Sequence, residues 1–195
     1  MKVVCVVEGD GEVEALPVLL RRIAADTGIN LEVARPLRTR RDRFLRRHDE
    51  MARMLGYAAL AVREGGFILV LLDADDDCIA QLVAQYADKI SAMAGGALCV
   101  FVLANREFES WFVAAAESLR GYRRMRADIT APIDPESIRD AKGWMREHME
   151  NPASASYRPA IDQPAFASKF DWRLARTRSP SLDKLCRELD RLSAG

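Results

Sequence analysis

The most apolar stretch of the sequence runs from Phe67 to Leu72 and stops abruptly at an acidic segment, residues 73–77, with the sequence DADDD. A strand that is apolar at every position is buried on both faces, which is typical of a central strand in a parallel sheet. Parallel neighbours need long crossover connections, usually helices, on the faces of the sheet. This run therefore predicts an α/β fold.

The rest of the N-terminal part of the chain follows the same pattern. Three further strands are predicted, at residues 3–7, 31–37 and 97–103. Amphipathic helices are predicted between the strands, at residues 13–24, 44–64 and 79–90, with Pro17 near the first turn of its helix. The alternation predicts a Rossmann-like parallel sheet with right-handed crossovers and helices on both faces, covering residues 1–117.

The C-terminal part of the sequence has a different pattern. Helices are predicted at residues 136–149, 164–170 and 181–192, joined by segments that carry Pro and Ser. No strand as apolar as the earlier ones is present in this part of the sequence. We therefore expect residues 118–195 to form a helical extension packed on the α/β core.

Composition indicates a folded protein without a dominant charge. The hydrophobic fraction is 49%, and 29 basic residues balance 29 acidic ones, so any charge argument has to be local. The four cysteines form no CxxC pair, and Cys5 and Cys99 lie within predicted core strands. No apolar run approaches the roughly 18 residues that a membrane span requires. We expect a cytoplasmic protein that does not enter a membrane.

Acidic residues follow three of the four predicted strands, at the points where the strands end. Glu8 follows the first strand, Asp73 and Asp75 the third, and Glu107 the fourth. The carboxyl ends of parallel strands meet at one edge of a sheet, where active sites form. In an extended segment Asp73 and Asp75 point to the same side. Clustered carboxylates suit a hard cation such as Mg²⁺ or Mn²⁺, whereas the alternative is that these acids are loop residues and helix caps.

Three further carboxylates are predicted as weaker ligands of the same metal site. Glu12 either binds the metal or orients the turn that follows the first strand. Asp77 lies two residues after Asp75, although the turn into the next helix is expected to break their alignment. In a helix the Glu107 and Glu109 side chains are about 200° apart, so only one can face the site, and Glu107 is preferred because it is closer to the strand end.

Two of these motifs together resemble the TOPRIM domain of topoisomerases, primases and OLD-type nucleases: the Glu8-Gly9 turn after the first strand, and Asp73-Ala74-Asp75 after a later one. A longer series of motifs, in order along nearly the whole chain, resembles the TOPRIM-like family catalogued as domain of unknown function 4276. The series comprises Val7-Glu8-Gly9 with Glu12, residues 72–76, residues 105–112, Lys142-Gly143-Trp144, Tyr157 with Asp162-Gln163, and residues 179–182.

The resemblance implies a Mg²⁺- or Mn²⁺-dependent nuclease that hydrolyses phosphodiesters, acting in bacterial antiphage defence beside an ATPase partner. It makes Glu8 a general acid/base or metal ligand, and Asp73 and Asp75 the metal ligands. The alternative is a non-catalytic subunit of an ATPase-containing complex that binds metal, nucleotide or protein. The sequence leaves open whether the chain forms a homodimer and whether the substrate is DNA or RNA.

A basic segment lies between the predicted second strand and the following helix. Residues 35–53 contain eight arginines and three acidic residues, which leaves five positive charges. We expect this segment to contact a nucleic-acid backbone, whereas the alternative is a solvated helix face. The predicted phosphate contacts are Arg38, Arg40, Arg41, Arg43 and Arg47, together with Lys142, which is included because of the family resemblance.

Overall fold

The computed structural model describes residues 1–62, 65–152 and 157–194 and contains a five-stranded sheet in which every pairing is parallel. The strands are β1 (Lys2–Val7), β2 (Glu32–Val33), β3 (Leu37–Arg38), β4 (Phe67–Asp73) and β5 (Leu98–Ala104). Their order is β2-β1-β4-β5, with β3 also pairing with β1. The predicted α/β class is confirmed.

Helices cover both faces of the sheet. Those of the N-terminal part are α1 (Asp10–Thr27), α2 (Arg41–Arg46), α3 (His48–Val62) and α4 (Ile79–Met93). One face of β1 and β4 packs against α1, and the opposite face packs against α3 and α4. Neighbouring residues along β1 and β4 alternate between these two cores, so both strands are apolar throughout. No helix within the described ranges is long and apolar enough to cross a membrane.

The predicted strand at residues 31–37 is instead two short strands, β2 and β3. Both pair with β1, through Lys2 with Glu32 and through Val6 with Leu37. Pro36 lies in the gap between them. The Ala34 N–H donates to the Val3 carbonyl of β1, but Pro36, two residues later, has no N–H group to continue this ladder.

Two helix predictions also needed correction. The helix predicted at residues 44–64 is the pair α2 and α3, which are separated by the extended backbone of Arg47; the end predicted at residue 64 lies outside the described residues. Pro17 lies well inside α1 rather than in its first turn, because the helix already begins at Asp10.

The C-terminal part is helical, as predicted, with helices α5 (Ser110–Val113), α6 (Ala141–Glu147), α7 (Pro159–Lys169), α8 (Trp172–Arg178) and α9 (Pro180–Ser193). The sequence analysis missed α8 and began α6 too early, at a residue within the short 3-10 turn Pro135–Ser137. Phe112 lies 5.8 Å from Phe166 and 5.1 Å from Phe170 between ring centroids. These rings extend the core on the α1 face, so the C-terminal helices and the sheet share one apolar cluster.

The strand order places a crevice beside β1. From β1 the chain moves to β2 and β3 on one side, and then returns to β4 on the other side of β1. In open parallel sheets, ligands bind outside the carboxyl ends of the strands where the strand order reverses in this way. Glu8 and Asp73 lie at the carboxyl ends of these two strands.

Candidate active site

Glu8 and Glu12 lie on either side of the turn that joins β1 to α1. The Gly9 N–H donates a hydrogen bond to the Glu12 carboxylate, which caps the first turn of the helix. Glu12 is buried, and this hydrogen bond ties it to the turn; its predicted role as a metal ligand stays a prediction. Glu8 is half-buried, and its Oε2 atom has no hydrogen-bond partner among the described residues.

Helix α7 packs very closely against this turn. A Cβ atom added at Gly11 would lie 2.0 Å from Oε1 of Gln163, so any other residue at position 11 would displace the Gln163 amide. Gln163 is itself fully buried. The turn that carries Glu8 is therefore packed directly against a C-terminal helix.

Asp73 is the last residue of β4 and is only 8% exposed. Its Oδ1 atom accepts a hydrogen bond of 2.8 Å from the Phe108 N–H, which ties β4 to the segment after β5. Burial raises the pKa of Asp73 well above its ordinary value, and the negative charges of Glu12, Glu109 and Glu8 raise it further, while Lys142 opposes the shift. Asp73 is thus a carboxylate held among other carboxylates.

Asp75 has a different backbone conformation from the one predicted. It is not part of an extended segment, since its φ is 51°, in the left-handed region, and its N–H donates to the Arg106 carbonyl at 2.9 Å. Ala74 faces the core on the other side of the sheet. A cavity of about 440 Å³, here called the acidic cavity, is lined by Glu8, Gly9, Asp10, Gly11, Glu12, Asp73, Asp75, Lys142, Pro159, Ala160 and Gln163.

Lys142, near the start of α6, projects its ammonium group among three carboxylates. Its Nζ atom lies 2.9 Å from Glu107 Oε1, 3.6 Å from Glu109 Oε2 and 3.7 Å from Asp73 Oδ2. Burial alone would lower the pKa of Lys142, but the neighbouring carboxylates outweigh burial and raise it. The structure therefore places this predicted phosphate contact beside the acids.

Glu107 and Glu109 both face Lys142, although the sequence analysis expected only one of them to face the site. The helix begins at Ser110, so the helical spacing assumed for this pair does not apply. Glu109 is completely buried, and its Oε1 atom accepts hydrogen bonds from Gln163 Nε2 at 2.8 Å and Tyr157 OH at 3.1 Å. The sequence analysis assigned no role to Glu109, Tyr157 or Gln163; the only signal for the last two was the motif series.

Asp77 lies outside the acidic cavity and pairs with Arg41. Arg41 is 8% exposed, also donates to the Ala74 carbonyl at 3.2 Å, and lies 3.4 Å from Asp75. Arg41 is therefore bound by groups of its own chain, whereas it was predicted to contact phosphate. Asp77 is thus part of an ion pair that fixes the acidic loop after β4.

Several of the predicted phosphate contacts line a second cavity of about 420 Å³, here called the basic cavity. It is lined by Glu8, Gly9, Arg38, Arg40, Arg41, Asp42 and Arg43. The side chains of Arg38, Arg40 and Arg43 are exposed, and Arg38 is bound to Asp10 at 3.1 Å. Arg47 lies outside this cavity and pairs with Asp49 at 3.3 Å. Glu8 and Gly9 line both cavities.

The residues of the acidic cavity have the right chemistry for a hard divalent cation. Glu8, Asp73 and Asp75 offer carboxylate oxygens, and the buried Glu8 Oε2 atom lacks a hydrogen-bond donor. Burial raises the pKa of Glu8 and the charge of Asp75 raises it further, so a cation would relieve this repulsion. Within the described residues, no group of three or more His, Cys, Asp and Glu side chains is already arranged around a metal position.

The fold and this site define an α/β protein of Rossmann-like architecture with an acidic site at the switch point of a parallel sheet. The family model described as "Domain of unknown function (DUF4276)" matches residues 7–190, so the chain belongs to this family, as the motif series predicted. No curated protein and no solved structure matches the chain. The relation to TOPRIM enzymes stays a prediction from the motifs.

Proposed function

We propose that this protein hydrolyses nucleic-acid phosphodiesters at the acidic cavity, with Mg²⁺ or Mn²⁺ as its cofactor. The observation that carries the proposal is that the acidic and basic cavities meet at Glu8 and Gly9. A phosphodiester backbone needs cationic groups to hold it and a carboxylate site to act on it. The two cavities supply these groups side by side.

Each group has a defined part in this proposal. Glu8, Asp73 and Asp75 would hold the cation, which supplies Lewis-acid stabilisation of negative charge on the phosphodiester when bound. Arg38, Arg40 and Arg43 would hold neighbouring phosphates in the basic cavity. The Glu8 carboxylate, beside both cavities, would hold the cation through one oxygen and accept a proton from the attacking water through the other, a task suited to a carboxylate whose pKa is raised.

The proposal also includes the setting that the resemblance implies. The protein would act in the cytoplasm as an effector of bacterial antiphage defence, beside an ATPase partner. The buried thiols of Cys5 and Cys186, which form no disulfide, are compatible with a reducing compartment.

A second candidate function is a non-catalytic binding subunit that recognises a nucleotide, a metal or a protein. The contacts of Lys142 favour it, because they already compensate Asp73, Glu107 and Glu109 without any added cation. Buried ion pairs of this kind also occur where no chemistry takes place.

A cleavage assay separates the two functions. Labelled single- and double-stranded DNA, RNA and tRNA are incubated with the protein over a Mn²⁺ titration, with and without a candidate ATPase partner. Wild type is compared with Glu8→Gln and with the matched control Glu14→Gln, an exposed glutamate on α1 outside both cavities. Cleavage lost only in Glu8→Gln supports the enzyme. Equal rates in all three proteins contradict catalysis at this site, and binding without cleavage favours the binding subunit.

A further inference from the structure

The position of Lys142 carries an inference about how many cations this site binds. Its ammonium nitrogen lies within 3.7 Å of oxygens from Asp73, Glu107 and Glu109. The three carboxylate side chains are at most 17% exposed, whereas that of Lys142 is 37% exposed. A lysine ammonium is a compact point charge with three donors, so it can compensate several carboxylates as a bound cation does.

The surroundings of Glu109 show what the Lys142 ammonium does. Tyr157 and Gln163 both donate to Oε1, and Oε2 has no hydrogen-bond donor within the described residues. The Lys142 ammonium, 3.6 Å from Oε2, is the charge that compensates this oxygen. A completely buried carboxylate without a partner is strongly unfavourable. Loss of the ammonium would leave Glu109 either to bind another cation or to take up a proton, since burial already raises its pKa.

The acids that line the acidic cavity have a different arrangement from Glu107 and Glu109, which do not line it. Glu8 Oε2 lacks a hydrogen-bond donor in the described part of the chain, and Glu8 makes no ion pair there. Glu12 is bound to the Gly9 N–H, and Asp75 is largely exposed. Asp73 lies between the two groups of acids, since Oδ1 accepts from Phe108 while Oδ2 faces Lys142.

We infer that Lys142 takes the place of a second metal ion, so that the acidic cavity binds a single divalent cation, on the Glu8 side. This inference rests on the proposed function for the cation on the Glu8 side only. Many phosphodiester hydrolases use two metal ions that neutralise the attacking and leaving oxygens. Here the ammonium group would supply the second positive charge.

The test is the number of Mn²⁺ ions bound, measured by titration calorimetry and by electron paramagnetic resonance of free Mn²⁺. We expect wild type to bind one Mn²⁺ and Lys142→Met to bind two, because the variant leaves Asp73, Glu107 and Glu109 without their cation. Lys142→Arg keeps the positive charge and is expected to bind one. Two ions in wild type, or the same number in wild type and Lys142→Met, would overturn the inference.

The design keeps this inference separate from the proposed function. If wild type binds none and Lys142→Met binds one, the proposed metal site on the Glu8 side fails, while the assignment of Lys142 to a cation position holds. If Lys142→Met does not fold without metal, circular dichroism is followed during the same titration. Refolding on addition of Mn²⁺ supports the inference, and a chain that stays unfolded at saturating Mn²⁺ overturns it.

Discussion

Glu136 and Glu109 are both buried, at 5% and 0% exposure, but the two glutamates have different surroundings. Glu136 Oε2 accepts from Asn105 Nδ2 at 3.1 Å, and its Oε1 accepts from both the N–H and the hydroxyl of Ser181 and from the Ser179 hydroxyl. Its donors are neutral, and both oxygens are occupied. In Glu109 one oxygen has two neutral donors, and the other depends on the ammonium of Lys142.

The difference distinguishes a carboxylate that is fully compensated within the protein from carboxylates that are not. The Glu136 network is complete within the protein and fixes the start of α9 beside the end of β5. The acids of the cavity are compensated only in part, and the Glu8 Oε2 atom has no donor within the described residues. Such incomplete compensation is typical of groups that meet a ligand or cation. The following predictions test this distinction.

The largest effect is expected for Glu8→Gln, which removes the proton acceptor proposed for the reaction. Nucleic-acid cleavage should fall by about 10²- to 10⁴-fold, the usual contribution of general acid–base catalysis. Single-turnover rates at saturating Mn²⁺ measure the change, and the circular dichroism spectrum should stay that of wild type. An equal decrease of the cleavage rate in Glu14→Gln would contradict this prediction, because Glu14 is exposed and lies outside both cavities.

Glu136→Ala should destabilise the protein without affecting the acidic cavity. The substitution leaves the Ser181 N–H and two serine hydroxyls without their acceptor, and each unsatisfied buried group costs about 1–3 kcal/mol. We expect the free energy of unfolding, measured in urea, to fall by about 3 kcal/mol. Mn²⁺ affinity should be unchanged, and a clear loss of that affinity would show that the Glu136 network also supports the site.

The arginines of the basic cavity should affect binding rather than turnover. Replacing Arg38, Arg40 and Arg43 by Gln should lower nucleic-acid affinity and flatten its dependence on salt. Each lost phosphate contact reduces the log–log slope by about 0.7 to 0.9. Arg46→Gln is the matched control, because Arg46 is exposed on α2, the helix that carries Arg43, but does not line this cavity. Equal slopes for the triple variant and the control would show that the nucleic-acid backbone binds outside the basic cavity.

The smallest effect is expected for the pH dependence of stability in the metal-free protein. The pKa of Asp73 is raised on folding, so the native state retains this proton at pH values where the unfolded chain has lost it. Stability should therefore decrease as pH rises from the unfolded pKa, about 3.9, through the raised folded pKa. Asp73→Asn removes this dependence and should be more stable than wild type at neutral pH.

Melting temperatures between pH 5 and 8 measure this difference, and each kcal/mol of stability corresponds to about 2–4 °C for a chain of this size. The two curves should approach each other toward low pH. If Asp73→Asn is less stable than wild type at every pH, the prediction is wrong, because the Asp73 carboxylate then stabilises the folded protein.

The sequence was sufficient to predict the strands whose residues are apolar throughout. β1, β4 and β5 were predicted to within a residue or two, because each is an unbroken apolar run, although only β1 and β4 are buried on both faces and Leu98 at the start of β5 is exposed. The division between β2 and β3 at Pro36, and the break of the helix at Arg47, depend on local backbone conformation and were missed. Helix α8 is short and rich in arginine, so its apolar periodicity was too weak to identify.

Prediction of the site was limited by contacts between distant parts of the chain. Glu8, Asp73 and Asp75 could be brought together in advance, because the carboxyl ends of parallel strands share one edge. The pairing of Arg41 with Asp77, and that of Lys142 with Glu109, could not be predicted, since each depends on packing between elements far apart in sequence. Glu109 was passed over because the helix was assumed to start before Ser110.

The close packing of Gly11 against Gln163 has a consequence for folding during synthesis. The strands and the turn that carries Glu8 leave the ribosome early, whereas Lys142 and α7, which complete the acidic cavity, follow later. The cavity therefore lacks one wall until the last quarter of the chain has been made. A ribosome-arrested chain that ends before residue 142 should accordingly lack the Mn²⁺ affinity of the finished protein. For an effector that cleaves nucleic acid, this order of assembly would keep each nascent chain inactive until its translation is nearly complete.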